Sequence, residues 1–222
     1  MRIVIAGAHG QIARRLTRLL SARGDQAVGI VRNPDHTADV TADGADPVVL
    51  DLESAGLDQL AEVVRGADAV VFAAGGGPGS GIARKDTVDR GAAVLLADAA
   101  EAAGVRRYVL VSSIGVDSVA DGATPEGMDE TFVAYLRAKL AAEQDLLPRP
   151  GLDVVALRPV TLTDDPGTGR VELARHVERG EVTRDDVAAV VVALLDEPAA
   201  GGVLELAGGS TPVADAVAAV TS

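Results

Sequence analysis

Residues 2–13 read Arg2-Ile-Val-Ile-Ala-Gly-Ala-His-Gly-Gln-Ile-Ala13, an apolar run followed directly by two glycines. The apolar run is typical of a strand that is buried on both faces. Gly7 permits a tight turn, Gly10 allows the backbone to approach a ligand closely, and Ala13 is small enough for a helix to pack on the strand. The stretch therefore predicts a strand, a glycine turn and a helix that together bind a dinucleotide pyrophosphate.

The helix after this turn is predicted over 12–23, with Leu16, Leu19 and Leu20 on one face. Its free N–H groups and the positive end of its dipole are expected to face the phosphates. The cofactor contacts predicted on this turn are Gly7, His9, Gly10, Gln11 and Ile12.

Composition limits the classes of function. The chain has 222 residues, 48% of them hydrophobic, which suits one domain over 1–222. A net charge of −13 argues against nucleic acid and anionic membranes as partners, so an anionic ligand needs a pocket with local dipoles and a few cations. The absence of cysteine excludes disulfides and thiolate catalysis. Without an apolar leader or a run of membrane-spanning length, the protein is expected to be cytoplasmic.

Short apolar runs alternate with longer segments of helical period. The predicted strands after the first are 27–31, 48–52, 69–73, 108–111, 154–157 and 203–206. The predicted crossover helices are 12–23, 57–65, 87–103, 129–147 and 185–195. This alternation predicts an α/β fold of the Rossmann type, a doubly wound parallel sheet with right-handed crossovers. Two irregular stretches, 114–127 and 161–184, are expected to face a substrate, with 161–184 as an insertion near the carboxyl terminus.

Tyr135 and Lys139 lie four residues apart on a predicted helix and therefore share one face. The chain has only two tyrosines and two lysines, which makes this spacing informative. A cation one turn away stabilises the phenolate, so that a tyrosine can exchange a proton with a substrate oxygen. The alternative is a surface tyrosine that packs along a lysine stem.

Hydroxyl groups end a neighbouring strand. Ser112 and Ser113 follow the run 108–111, where Ser113 is placed to orient a carbonyl beside Tyr135. Serines after a strand also commonly cap loops, so this second interpretation stays open.

Arg32 ends the second predicted strand, where an acidic residue would accept the ribose hydroxyls of NAD and an arginine would pair with the additional phosphate of NADP. We therefore expect NADP rather than NAD, with a solvent-facing arginine as the alternative. Asp51 and Leu52 are expected beside the adenine, although Asp51 also suits a loop cap. Further cofactor contacts are predicted at Ala73, Ala74, Gly75, Ser112, Pro159 and Val160.

The histidines do not suggest a metal. His9, His36 and His176 are scattered, without metal-ligand spacing to one another or to carboxylates, so no metal site is expected. His9 lies within the glycine turn, where it either contacts phosphate or points to solvent.

Together the motifs resemble the short-chain dehydrogenase/reductase superfamily. They are Gly7-x-x-Gly10-x-x-Ala13, Asp51-Leu52, Ala73-Ala-Gly75, Ser112-Ser113, Tyr135-Leu-Arg-Ala-Lys139 and Leu157-Arg-Pro159. The glycine spacing is similar to that of the extended members, but the chain is shorter, as is typical of the atypical subgroup. That subgroup is described as NAD(P)H-binding and as NAD(P)-dependent epimerase/dehydratase-like.

The resemblance implies NADP binding and assigns three catalytic roles. Tyr135 would be the general acid and base, Lys139 would also hold the nicotinamide ribose, and Ser113 would polarise the substrate oxygen. Asp89 lies where the superfamily usually has an active-site Asn and the atypical subgroup often has Asp. While ionised, the Asp89 carboxylate cannot donate the hydrogen bond that an amide donates, so the resemblance leaves open whether the usual proton relay operates in this chain.

Several functions stay open at this point. The expected one is hydride transfer to or from a small carbonyl or alcohol, or an epimerase or dehydratase reaction at the same residues. The alternatives are a non-catalytic NADP(H) sensor and a quinone or flavin reductase that needs no tyrosine acid. The substrate is not encoded in a recognisable motif, and both a monomer and a homodimer are compatible with the sequence.

Overall fold

A computed structural model of the protein describes residues 1–77, 79 and 81–221. The strands within these residues are β1 (Arg2–Ala6), β2 (Gln26–Val31), β3 (Ala45–Val49), β4 (Ala69–Phe72), β5 (Arg107–Val111), β6 (Asp153–Pro159), β7 (Thr161–Thr163), β8 (Arg170–Ala174), β9 (Glu181–Thr183), β10 (Gly202–Gly208) and β11 (Thr211–Pro212). The helices are α1 (Gln11–Ala22), α2 (Thr37–Ala42), α3 (Leu57–Val64), α4 (Ile82–Arg84), α5 (Ala93–Ala103), α6 (Glu130–Leu146), α7 (Arg184–Asp196) and α8 (Val213–Ala219).

The described residues form a nine-stranded sheet in the order β11-β8-β10-β6-β5-β4-β1-β2-β3. The pairs from β3 across to β10 are parallel, whereas β8 runs antiparallel to β10. The predicted Rossmann-type doubly wound fold is therefore confirmed, with an antiparallel strand added near one edge.

The core lies on both faces of the sheet. On β1, Ile3 and Ile5 pack into one apolar cluster with Leu16 of α1, whereas Val4 and Ala6 pack into a second cluster on the opposite face. Alternate side chains of a strand point to opposite faces, so this division follows from an apolar strand covered by helices on both sides.

Three local predictions need correction. The third strand is Ala45–Val49 rather than 48–52, because it forms an edge of the sheet and there tolerates Pro47. Leu19 is 40% exposed, so only Leu16 and Leu20 of the predicted leucine face are buried. The helix predicted at 87–103 begins earlier, with π-helical turns over Lys85–Ala92 that continue into α5.

The insertion predicted at 161–184 contains strands. β7 and β9 pair in a separate two-stranded sheet, and β8 joins the main sheet beside β10. Among the described residues, none of the helices combines the length and the apolar character that crossing a membrane requires.

Candidate functional site

A cleft opens at the carboxyl edge of the sheet. β1 pairs with β2 on one side and with β4 on the other. The chain winds from β1 through β2 to β3 in one direction, and from β4 through β5 to β6 in the other, so a crevice forms between the loops that follow β1 and β4. Two cavities of about 520 and 840 Å³ occupy this edge, here named the first and the second cavity. The residues that line both are Gly10, Ala73, Ala74, Gly75 and Gly77.

The structure places every predicted site residue along this cleft. The first cavity is lined by Gly7, His9, Gly10, Arg32, Asp51, Leu52, Ala73, Ala74 and Gly75. The second is lined by Gly10, Gln11, Ile12, Ala73, Ala74, Gly75, Ser112, Ser113, Tyr135, Lys139, Pro159 and Val160. Residues from distant parts of the chain therefore meet in one continuous cleft, large enough for an extended ligand.

The glycine turn is held closely against β4. Gly7 has a φ of +80°, and a Cβ atom there would lie 2.5 Å from the Cα atom of Ala74. The N–H groups of Gly7 and Ala8 both donate to the carbonyl of Ile30, at 3.2 and 3.1 Å. Glycine is required at this position because both the backbone conformation and the available space exclude a side chain.

The amino terminus of α1 faces the cleft without a cap. Its first hydrogen bond runs from the N–H of Arg14 to the carbonyl of Gly10, and no side chain among the described residues caps it. The first turn also contains no acidic residue. The N–H groups of Gln11 and Ile12 consequently have no intrahelical acceptor, which fits a phosphate group of a bound dinucleotide.

Arg32 lies at the rim of the first cavity, with its side chain 52% exposed. Its guanidinium contacts Glu53 at 3.2 Å, and Glu53 also accepts hydrogen bonds from Arg84 at 2.8 Å and Thr87 at 2.6 Å. The hydrogen bond from Thr87 and the charge of Arg84 hold the pKa of Glu53 below its ordinary value, against the opposing effect of burial. Arg32 is thus positioned by an acidic partner that sequence reasoning missed.

Two histidines that look scattered in the sequence meet at the first cavity. The rings of His9 and His36 stack with centroids 3.6 Å apart, and Nε2 of His9 lies 2.8 Å from Asp39. His176 lies elsewhere, beside Glu205. Among the described residues, no group of three or more His, Cys, Asp or Glu side chains is placed to hold a metal ion.

Asp51 forms the loop cap that was one of its two predicted roles. Its carboxylate accepts a hydrogen bond from the N–H of Glu53 at 3.1 Å, while its side chain still borders the first cavity. The carboxylate therefore stabilises the turn that carries Glu53.

The ring of Tyr135 lies near two ammonium groups in the second cavity. Nζ of Lys139 is 5.8 Å from the centroid of its ring and Nζ of Lys85 is 5.7 Å away, while Phe132 stacks on the ring at 5.7 Å. Within the described residues, the Tyr135 hydroxyl has no hydrogen-bond partner, so it remains available to a ligand.

Lys139 is almost fully buried and binds acceptors of the protein. Its ammonium donates to the carbonyl of Val111 at 3.0 Å and to that of Ala74 at 3.4 Å, and it lies 3.4 Å from Oδ1 of Asp89. Asp89 accepts a hydrogen bond from the N–H of Gly76 through its other oxygen. The aspartate in the Asn position thus provides a counter-ion for Lys139.

The two serines after β5 differ in their surroundings. The Ser112 hydroxyl donates to Glu143, which is buried on α6 and forms an ion pair with Arg158 of β6. The Ser113 hydroxyl makes one long hydrogen bond, 3.2 Å to the carbonyl of Ile114, and lines the second cavity. Ser113 is therefore the more available hydroxyl, and Ser112 fixes its strand to α6.

A buried ion-pair network supports the helix that carries Tyr135 and Lys139. Arg158 donates to Glu143, and its two terminal nitrogens donate to the two carboxylate oxygens of Asp117 at 2.7 and 3.1 Å. Arg158 therefore joins β6, α6 and the turn after β5. Hydrogen bonds to both carboxylates keep the pKa of Arg158 above its ordinary value in spite of burial. The Leu157-Arg-Pro159 motif contained this arginine, but its partners depend on contacts that a sequence does not show.

Sequence comparison assigns the chain to a family. The family model described as NAD(P)H-binding matches residues 7–198, a range that contains the glycine turn and Tyr135. The chain belongs to this NAD(P)H-binding family. Its fold, cleft and motifs agree with an atypical member of the short-chain dehydrogenase/reductase group, as the resemblance implied.

Individual relatives of this NAD(P)H-binding protein span nearly its whole length. YhfK of Bacillus subtilis strain 168, named as an uncharacterized sugar epimerase, is 34% identical over 98% of this chain and 99% of its own. A Bacillus halodurans structure, whose name proposes an NAD-dependent epimerase/dehydratase, is 32% identical with a TM-score of 0.87 and covers 99% of each chain. ChuY of Escherichia coli O157:H7, named as an anaerobillin reductase, is 26% identical with a TM-score of 0.78 and covers 94% of this chain and 97% of its own.

Proposed function

We propose that the protein is an NADP(H)-dependent oxidoreductase that acts on a small carbonyl or alcohol. The observation that carries this proposal is the Tyr135 hydroxyl, which has no hydrogen-bond partner among the described residues. Its ring lies near the ammonium groups of Lys85 and Lys139, in a cavity that Gly10 of the glycine turn also lines. When bound, the reduced nicotinamide supplies the hydride that the carbonyl carbon accepts. Tyr135 supplies the proton that the carbonyl oxygen needs to become a hydroxyl, and takes it back in the reverse direction.

The other residues position the reacting groups. The backbone of Gly10, Gln11 and Ile12 binds the pyrophosphate, and Arg32 binds the additional phosphate of NADP. Ser113 donates a hydrogen bond to the substrate oxygen, while Lys139 lies beside the Tyr135 ring and holds the nicotinamide ribose. Thr161 and Arg184, at the two ends of the region predicted to face the substrate, border the same cavity and contribute to its shape.

An epimerase or dehydratase reaction is the second candidate, favoured by the names of two relatives. In that case the substrate alcohol is first oxidised and later reduced, so the cofactor is regenerated and Tyr135 exchanges the same proton in both directions. The residues and the cleft are the same for both candidates. The two reactions differ in the cofactor, which is oxidised or reduced overall by an oxidoreductase and returns to its starting oxidation state in an epimerase or dehydratase.

Replacement of Tyr135 by phenylalanine tests the proposed role directly. We expect Tyr135→Phe to lower turnover of small aldehydes and ketones by about 100-fold or more, because it removes the general acid, while NADPH affinity stays unchanged. Tyr108→Phe is the matched control, since Tyr108 is the other tyrosine and its hydroxyl donates to Ala93 away from the cleft. Turnover is followed as loss of NADPH absorbance.

Three results would contradict this assignment. If wild-type protein binds NADPH but reduces no carbonyl, a cofactor sensor is supported instead. If Tyr135→Phe retains turnover with a quinone or free flavin, hydride transfer proceeds without a tyrosine acid. If Tyr108→Phe loses as much activity as Tyr135→Phe, the loss of turnover comes from a disturbed fold rather than from a missing general acid.

A further inference from the structure

Among the described residues that line the second cavity, one cationic side chain has no carboxylate partner. Three cationic side chains line it, and two of these are paired: Lys139 lies 3.4 Å from Asp89, and Arg184 lies 2.9 Å from Asp164. The third is Lys85, for which the described residues provide no carboxylate within ion-pair distance.

Lys85 is also buried. Only 7% of the residue is exposed, and its ammonium donates to the carbonyl of Gly77 at 2.8 Å and faces the ring of Tyr135. Asp86, the next residue, is paired with Arg90 on the exposed side of the same helix. A buried ammonium is costly unless an anion compensates it, and a neutral carbonyl and an aromatic face compensate it only in part.

The charge of the whole chain makes this cation more significant. A net charge of −13 disfavours the approach of anions at long range, so an anionic ligand needs a cation within its own pocket. The remaining carboxylate in the second cavity, Asp129, accepts the N–H of Phe132 as the cap of α6. Lys85 is therefore the charged group of this cavity that is left for a ligand.

We propose that Lys85 binds an anionic group of the substrate, a carboxylate or a phosphate, beside Tyr135. This inference rests on the proposed function, because it places the substrate carbonyl at the Tyr135 hydroxyl. The ammonium and the ring are neighbours, so the anionic group and the reacting carbonyl belong to one small molecule. Ile12, Ile114 and Leu162 provide apolar surface for the remainder of that molecule.

Two matched pairs of aldehydes test the inference and separate the two sources of anionic charge. One pair is 4-oxobutanoate and butanal, and the other is glyceraldehyde 3-phosphate and glyceraldehyde. NADPH-loaded wild-type protein, Lys85→Met, Lys85→Arg and the control Arg90→Met are compared with each aldehyde. Binding is measured by the change in fluorescence of bound NADPH, and turnover by its absorbance.

We expect wild type to prefer the anionic member of at least one pair. Lys85→Met should reduce that preference by about 30-fold or more, the loss expected when one member of a buried charge pair is removed. Lys85→Arg should restore part of it, and Arg90→Met should leave it unchanged.

Several results would overturn the inference. An equal loss on the charged and uncharged members in Lys85→Met would show that Lys85 serves Tyr135 rather than the ligand. A wild-type protein that binds NADPH but neither anionic aldehyde more tightly than its neutral partner would also refute it, with cofactor binding intact. Failure to bind NADPH would instead refute the proposed function itself.

Discussion

At the scale of single residues, the absence of a Cβ atom at Gly7 determines the geometry of the glycine turn. Gly7 carries β1 into the turn with a backbone conformation that disfavours side chains, and a Cβ atom at this position would overlap the backbone of Ala74 after β4. This contact brings the two halves of the cleft together at the point where the pyrophosphate is expected. The same residue therefore determines both a local backbone conformation and the width of the site.

Substitution of Gly7 by alanine should damage both stability and binding. We expect Gly7→Ala to lower the free energy of unfolding by about 2–4 kcal/mol, because positive φ and a steric overlap combine, and to weaken NADPH binding. Gly24→Ala is the matched control, since Gly24 has a φ of +83° but no atom within 4 Å of where an added methyl group would lie, and should cost about 1 kcal/mol without changing NADPH affinity. Urea denaturation and a cofactor titration measure the two effects. Equal losses in both variants would show that the contact with Ala74 is unimportant.

Regular spacing in a sequence indicates which residues share one face of a helix. Tyr135 and Lys139 are one helical turn apart, so a sequence shows that they share a face. The contacts of Lys85 with the Tyr135 ring and of Asp89 with Lys139 were not predictable from the sequence, because they depend on how the helix that carries Lys85 and Asp89 packs against α6. The chain has only two lysines, and this scarcity is the one feature of the sequence that could have indicated a special role for Lys85.

At the scale of elements, ion pairs attach α1 to the segment after β2. Asp43, which follows α2, accepts hydrogen bonds from Arg14 at 2.5 Å and Arg18 at 2.7 Å, both on α1. Burial alone would raise the pKa of the Asp43 carboxyl, but the two arginines outweigh it and lower the pKa below its ordinary value. A carboxylate whose pKa is lowered on folding stabilises the folded state above its unfolded pKa, and this contribution is lost as the pH falls through the folded pKa.

Removal of the Asp43 charge tests this attachment. We expect Asp43→Asn to lower the free energy of unfolding by about 1 kcal/mol at pH 7, and the difference from wild type to shrink below about pH 4. Asp165→Asn, at an exposed position, is the control and should have little effect at either pH. Urea denaturation at the two pH values provides the measurement. A difference that persists unchanged in acid would contradict a charge-based explanation.

Element boundaries were predicted less well than element types. The third strand was predicted at 48–52, whereas β3 begins at Ala45 and includes Pro47, whose missing N–H need not be paired at an edge of the sheet. The π-helical turns at Lys85–Ala92 have no sequence pattern that separates them from an α-helix. Both differences come from tertiary position, which single-sequence periodicity does not contain.

At the scale of the whole molecule, alternation of strands and helices was sufficient to predict the parallel part of the sheet and the edge along which the cleft lies. The predicted site residues, spread from Gly7 to Val160, consequently lie along one cleft. The secondary structure of segment 161–184 was harder to predict, because short strands such as β8 acquire their hydrogen-bond partners only in the folded sheet. The partners of Arg32 and Arg158 were also missed, since they come from distant turns.

The central claim is that this cleft binds NADP(H), with Arg32 at the additional phosphate. Titration of the protein with NADPH and, separately, with NADH tests it most directly, and nicotinamide fluorescence is a clean signal because the chain has no tryptophan. We predict tighter binding of NADPH, and a loss of about 10-fold or more in that preference in Arg32→Ala, because a charge-assisted hydrogen bond is removed. Failure of wild-type protein to bind either nucleotide would contradict the account.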